Sequence, residues 1–143
     1  MNKIKKMIKN ERGMTLIELL AVIVIIAIIA LIAIPAIGNI INNSHDKAIL
    51  ADASSIISGA KIAIADGECP EDTCSAKALE NFVTKPGVTL EGVSVEFKEN
   101  EYTLTYSELG NMKGKLKGKV KSPITSNDLA KLMKNNNVKD EGE

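Results

Sequence analysis

Residues 14–34 read MTLIELLAVIVIIAIIALIAI, an apolar run that a single charged residue, Glu18, interrupts. At about 1.5 Å per residue, a helix of this length extends roughly 30 Å, which is enough to cross the hydrocarbon core of a bilayer. A charged side chain at the centre of such a helix costs roughly 2.5–3.5 kcal/mol, and less near an end. An ionisable residue inside the run therefore indicates a function and a partner for its charge.

A basic segment precedes the apolar run. Residues 1–13 read MNKIKKMIKNERG and contain five basic side chains against one acidic side chain, a net charge of +4. Because positive charge that flanks a span stays on the cytoplasmic side, we expect the N-terminus in the cytoplasm and everything after the run outside it. The apolar run is longer than that of a secretory signal, about 7–15 residues, and it contains a charge, which disfavours that alternative.

The junction of the two segments, residues 13–18 with the sequence GMTLIE, resembles the processing motif of type IV prepilins, type II secretion pseudopilins and competence pilins. The resemblance extends over about residues 8–65. It implies that a membrane-bound prepilin peptidase cuts between Gly13 and Met14 on the cytoplasmic side, and that Met14 is then N-methylated. Met14 replaces the phenylalanine that is usual in the family, and Pro35 matches a proline that the family often carries.

The same resemblance gives Glu18 a role in assembly. Processing at Gly13 removes the leader and leaves 13 basic and 17 acidic side chains, a net charge of −4. It also creates an α-amino group, which is a cation at neutral pH. In a bundle of such helices, Glu18 of one subunit can pair with the amino terminus of another, since an unpaired buried carboxylate is costly. A Glu18 that only snorkels to the membrane interface is the alternative.

Further partners follow from the resemblance alone. It implies assembly with copies of the same chain or with minor pilins, a pilus assembly platform, and membrane lipid around the helix before assembly. The chain is then a single-pass membrane protein that becomes part of an extracellular filament. Major pilins, minor pilins, competence pilins for DNA uptake and type II secretion pseudopilins share the motif, and these residues do not rank them.

The helix is predicted to continue beyond the membrane in an amphipathic form, over the stretch up to residue 66. Its apolar face consists of Ile49, Ala53, Ile56, Ile57, Ala60 and Ile64, which recur at helical spacing. Its wet side is predicted to contain Asp46, Asp52, Lys61 and Asp66. Gly67 predicts the end of the helix. Pro35 lacks an N–H, which predicts a kink or local melting over residues 35–44.

Two cysteines, Cys69 and Cys74, follow the helix and are the only ones in the chain. Because this part is predicted outside the cytoplasm, we expect a disulfide that closes a tight loop. A metal site on the two thiolates and the neighbouring carboxylates is the alternative. It is disfavoured because the only histidine, His45, is distant in sequence and zinc prefers four nitrogen or sulfur ligands. We therefore expect no metal and no cofactor.

The rest of the chain contains strand and helix patterns. Residues 93–97 and 102–106 alternate apolar and polar side chains, and residues 113–121 are predicted as a third strand. Short helices are predicted over residues 75–83 and 126–134.

These elements predict an α+β fold. A long N-terminal helix, membrane-spanning in its first half and kinked near Pro35, packs on a small antiparallel sheet of about three strands, as in pilins. The predicted organisation is a leader at residues 1–13, a transmembrane and filament-core helix at 14–34, and an extracellular globular domain at 35–143, with a loose tail from about residue 135.

Five lysines alternate along the predicted third strand and would share one of its faces. They are Lys113, Lys115, Lys117, Lys119 and Lys121. One hypothesis is an anion-binding stripe for extracellular DNA or an anionic cell-wall polymer. The alternative is a solvated edge strand whose lysines prevent edge-to-edge pairing. Two Phe, two Tyr and no Trp leave few side chains for stacking on bases, which favours the alternative.

Catalytic patterns are missing from the sequence. With one histidine there is no Ser/His/Asp or Cys/His set in a segment that could form a pocket, and no glycine-rich phosphate loop is present. We therefore predict a protein that is not an enzyme. A structural subunit of a filament is the first function class, and a membrane-tethered binding module that never polymerises is the second.

Overall fold

The structure is a computed structural model that describes the backbone of residues 2–84 and 87–138. Side chains are described for residues 13–84 and 87–135. The chain divides into two compact units, Met1–Ile40 and Ile41–Glu143.

Helix α1 (Asn2–Ala65) is the dominant element and contributes to both units. It begins at Asn2, earlier than the start at Met14 expected from the apolar run. Pro35 lies inside the helix, and residues 35–44 are helical throughout, so the structure contains no melted segment there. A kink at Pro35 stays a prediction.

The C-terminal end of α1 follows the Schellman pattern. The N–H of Glu68 donates to the carbonyl of Ala63 at 3.0 Å, and the N–H of Gly67 donates to the carbonyl of Ile64 at 3.1 Å. Gly67 has a φ of +78°, a conformation that costs glycine little because it has no Cβ. The helix end predicted at Gly67 is confirmed.

Four short antiparallel strands form one sheet in the order β1-β2-β3-β4. The strands are β1 (Thr73–Ser75), β2 (Ser94–Lys98), β3 (Glu101–Thr105) and β4 (Ile124–Thr125). The accompanying helices are α2 (Ala76–Leu79) and α3 (Ser126–Val138), with a 3₁₀ turn at Ser107–Asn111. The predicted α+β fold, a long helix packed on a small antiparallel sheet, is confirmed, with four strands in place of about three.

Strands β2 and β3 form the predicted hairpin, each within one residue of its predicted bounds. Glu99 and Asn100 make the turn, and both have positive φ, as a two-residue hairpin of type I′ requires. The predicted final helix extends to Val138, and residues 139–143 of the predicted tail lie outside the described residues.

The third strand predicted over residues 113–121 is wrong, because this segment forms consecutive turns and β4 completes the sheet instead. The N–H of Lys117 donates to the carbonyl of Gly114 at 3.1 Å. The N–H of Lys119 donates to the carbonyl of Leu116 at 2.9 Å. These local bonds engage backbone groups that a strand would direct toward a neighbouring strand.

The core lies between α1 and one face of the sheet. Register partners on the four strands, Cys74, Val95, Leu104 and Ile124, form a row in which each is at most 7% exposed. The predicted apolar face of α1 is confirmed, since Ile49, Ala53, Ile56, Ile57 and Ala60 are buried and Ile64 packs at its edge. Full burial of each larger aliphatic side chain contributes about 1.5–3 kcal/mol.

A disulfide joins Cys69 and Cys74, in agreement with the expectation from the sequence, with Cα atoms 4.8 Å apart. It connects the chain that leaves α1 to strand β1. Both sulfur atoms are therefore engaged with each other, and the alternative of a thiolate metal site does not apply to this state. The acidic turn between the two cysteines is fixed against the end of the helix.

Replacing both cysteines should lower the free energy of unfolding of the globular unit by about 2 kcal/mol, the chain-entropy value for so small a loop. Urea unfolding of the full chain in a non-ionic detergent, followed by tyrosine fluorescence, measures this for Cys69→Ser/Cys74→Ser. A reductant should lower the midpoint of the wild type and leave that of the variant unchanged. A wild-type midpoint that ignores the reductant would contradict the prediction.

Candidate functional site

The first part of α1 exposes apolar side chains in every direction. Large apolar residues between Met14 and Ile34 are 49–77% exposed. By length and composition, the helix from Gly13 onward is the one candidate membrane span among the described residues, and none of its most apolar stretch is buried. A surface of this extent needs cover from lipid or from other protein chains.

Glu18 lies on this exposed apolar surface, four residues after Met14 and therefore on the same side of the helix. Among the described residues, Glu18 has no hydrogen-bond or ion-pair partner. Gly13 is half-buried and Met14 is 62% exposed, so the peptide bond between them is not covered by the globular unit.

A buried carboxylate on α1, Asp46, binds the segment that contains the five lysines. Asp46 is 2% exposed. Its Oδ1 accepts hydrogen bonds from the N–H groups of Lys113 at 2.8 Å and Gly114 at 3.1 Å. Its Oδ2 accepts from the N–H groups of Gly114 at 3.0 Å and Leu116 at 3.1 Å. Hydrogen bonds to a charged acceptor are about twice as strong as neutral ones, which stabilises the buried charge.

Asn43 extends this arrangement by one turn of the helix. Its Oδ1 accepts a hydrogen bond from the N–H of Lys115 at 3.1 Å, so four consecutive N–H groups point at two side chains of α1. Gly114 fits because it lacks a side chain. A Cβ there would lie 2.5 Å from Asn43 Oδ1 and 2.8 Å from Asp46 Oδ2.

The prediction that Asp46 lies on the wet side of the helix is wrong. Asp46 precedes Ile49 by three residues and Ala53 by seven, so it is in phase with the apolar face. That phase was the signal available in the sequence. The carboxylate tolerates burial because backbone N–H groups replace its water. Of the other residues assigned to the wet side, Lys61 and Asp66 are exposed and Asp52 is half-buried.

We call residues 113–121 the lysine loop. Apolar residues in and beside it, Met112, Leu116 and Val120, are at most 9% exposed and attach it to the core. All five of its lysines are exposed, and among the described residues none has an ion-pair partner. The loop therefore presents five ammonium groups to solvent from a backbone fixed by Asp46 and by the core.

A small cleft beside this region is lined by His45, Asp52, Tyr106 and Glu108, among others. The Tyr106 ring is 3% exposed, and burial raises the pKa of its hydroxyl above 10.0, with the carboxylates of Asp52 and Glu108 adding to the effect. The Nδ1 atom of His45 is buried without a hydrogen-bond partner among the described residues. In the described part of the chain, no group of three His, Cys, Asp or Glu residues is placed to hold a metal ion.

Residues 8–34 match a family model described as the prokaryotic N-terminal methylation motif. No curated protein and no solved structure matches the chain. The N-terminal segment therefore carries the signature of type IV pilins and pseudopilins, and the resemblance at the junction of the leader and the apolar run is confirmed. The motif implies processing by a prepilin peptidase and assembly with pilins in general, and the family it marks is structural rather than enzymatic.

Asp46→Asn should lower the free energy of unfolding of the globular unit by about 3 kcal/mol, because it replaces a charged acceptor with an amide that turns a donor toward buried N–H groups. Urea unfolding of the full chain in detergent measures the change. Asp66→Asn, at an exposed carboxylate of the same helix region, should change stability by less than about 0.5 kcal/mol.

A second pair of variants tests the same contact through its backbone. Gly114→Ala should destabilise the unit, whereas Gly110→Ala, whose Cβ meets nothing within 4 Å, should not. Equal stabilities of the Asp46 and Asp66 variants, or of the two glycine variants, would show that the carboxylate does not hold the loop.

Tyr106 should make stability fall at high pH. Because its pKa is raised in the folded state, the folded chain keeps a proton that the unfolded chain loses above pH 10.0. This contribution is complete below the unfolded pKa and disappears as the pH rises through the folded pKa. Unfolding of the wild type and of Tyr106→Phe from about pH 9 to about pH 11 measures it. The wild type should lose stability relative to the variant at the upper end, and a constant difference would contradict the assignment.

Proposed function

We propose that this chain is the structural subunit of a type IV pilus-like filament. It is made as a membrane-anchored precursor, cut between Gly13 and Met14, methylated at Met14 and assembled through the first part of α1. The observation that carries the proposal is the match of residues 8–34 to the methylation motif, on a helix whose apolar residues are exposed and whose one charge between residues 14 and 34 is Glu18.

Charge arrangement supports processing as the trigger for assembly. The leader carries +4 on the side of the span predicted to be cytoplasmic, and its removal creates a single cation at the N-terminus of Met14. That cation lies one helical turn from Glu18 in the same chain. Between adjacent chains, the carboxylate of one and the amino group of another neutralise each other and fix the axial register of the two helices.

The extent of the exposed apolar surface favours a polymer over a simple tether. Beyond Ile34, the side chains of Ile37, Ile40 and Ile41 are still 52–63% exposed. A helix from Met14 to Ile41 is about 42 Å long, whereas the hydrocarbon core of a bilayer is about 30 Å thick. The surplus apolar surface lies outside the hydrocarbon, and neighbouring copies of the same helix would cover it.

Mass spectrometry of the chain recovered from producing cells tests the processing step. We expect a mature protein that begins at Met14 and carries one added methyl group. A Gly13→Ser variant should accumulate at its full precursor mass. A wild-type chain that retains residues 1–13 would contradict the proposal.

Glu18→Ala tests the assembly step. Loss of the charge pair should reduce the number of sheared filaments, counted by electron microscopy, by about tenfold or more, which corresponds to about 1.4 kcal/mol or more per subunit. Glu91→Ala, which removes an exposed carboxylate of the globular unit, is the matched control and should assemble as the wild type does. A normal filament count for the Glu18 variant, with equal chain in the membrane, would contradict the assigned role.

A further inference from the structure

Charges of opposite sign occupy two separate places along the globular part of α1. The lysine loop is bound at Asn43 and Asp46. A second loop, residues 66–72, follows the C-terminal end of the helix, and we call it the acidic loop. The stretch of helix from Asp46 to Asp66 is about 30 Å long.

The two loops are uniform in sign. The chain has no acidic residue between Glu108 and Asp128, so the five charges of the lysine loop are all positive. It has no basic residue between Lys61 and Lys77, so the charges of the acidic loop are all negative. The acidic loop consists of exposed side chains at four charged positions, Asp66, Glu68, Glu71 and Asp72.

Neither loop is neutralised within its own chain. Ion pairs among the described residues join Lys98 to Glu96 and Lys131 to Asp128, and none involves a charged side chain of either loop. The charges of both loops are thus available to a partner outside the chain.

Both loops also have a fixed backbone. The lysine loop donates its N–H groups to Asp46 and Asn43 and inserts Leu116 into the core. The acidic loop is closed by the disulfide between Cys69 and Cys74. Loops ordered in advance lose less conformational entropy on association, so complementary charges on them are more effective than charges on mobile segments.

We propose that the lysine loop of one copy binds the acidic loop of another copy along the filament. This inference rests on the proposed function. The contact joins two different surfaces of the same chain, and such head-to-tail contacts propagate into open helical assemblies instead of closed dimers. It requires two copies offset along the filament axis by about 30 Å, the length of α1 between the two loops.

A second copy suits the lysine loop better than a nucleic acid does. The mature chain has a net charge of −4, which opposes long-range attraction to a polyanion. A second copy supplies four carboxylates on a loop of fixed shape, and local complementarity of this kind gives register and specificity.

Charge reversal in cells that produce the full chain tests the contact. Lys117→Glu/Lys119→Glu/Lys121→Glu should reduce the filament count about tenfold or more, with the mature chain in the membrane at the wild-type level. Glu68→Lys/Glu71→Lys/Asp72→Lys should have a similar effect. Combining the two sets should restore filaments in large part, because opposite charges face each other again.

The matched control changes net charge equally at exposed lysines outside the loop, as Lys98→Glu/Lys131→Glu/Lys134→Glu, and should assemble as the wild type does. In wild-type filaments grown from mixed ¹⁴N and ¹⁵N chains, a zero-length carbodiimide should produce lysine-loop to acidic-loop peptides with one label of each kind. The distance between the loops in one chain excludes a link within that chain.

The outcomes separate this inference from the proposed function. Wild-type cells without filaments would overturn the proposed function. Wild-type filaments that survive reversal of the lysine loop, without mixed-label links between the loops, would overturn the inference and leave the proposed function intact. If reversal instead removes binding of the chain to duplex DNA or to inorganic polyphosphate while filaments persist, the loop serves a polyanion and the inference is overturned.

Discussion

Helix α1 must find cover for two different kinds of surface, and the rest of the molecule follows from that constraint. In its second part only one face is apolar, and the row formed by Cys74, Val95, Leu104 and Ile124 covers that face completely. In its first part the apolar side chains point in all directions, so no single sheet could cover them. A helix that is apolar all round needs an apolar medium or several neighbours. A small unit with four short strands is therefore sufficient for one half of the helix, while the other half depends on lipid or on other chains.

Two carboxylates illustrate the same division. Asp46 lies on the covered face and accepts N–H groups from the lysine loop, so its charge is satisfied within the chain. Glu18 lies on the uncovered surface, and among the described residues it has no partner. Both residues occupy positions where an apolar side chain would bury well, so each charge serves a specific contact. The first contact fixes a loop on the helix, and the second requires a group that the described residues of the chain do not supply.

The sequence predicted the elements whose pattern is local. The apolar face from Ile49 to Ala60, the helix end at Gly67 and the β2–β3 hairpin follow from periodicity and turn chemistry, and each is present. The contact between Asp46 and the lysine loop joins residues almost 70 positions apart, and no local pattern indicates it. The lysine loop itself alternates like a strand, but Gly114 and Gly118 interrupt it, and Gly118 adopts a φ of +71°. Strand β4 was missed because two residues, Ile124 and Thr125, are too few to show an alternation.

Electrostatics also explains why assembly of such a chain has to wait for processing. Two helices in contact lie about 8–10 Å apart, and two leaders of charge +4 at that distance repel each other by several kcal/mol in water before screening. Cutting after Gly13 removes this repulsion and leaves one amino group at the end of the apolar surface, close to the level of Glu18. The same cut therefore abolishes a repulsive term and creates an attractive one. Because both changes occur at the same end of the helix, the precursor remains a separate membrane protein, and only the mature chain gains free energy from packing its apolar helix against other copies.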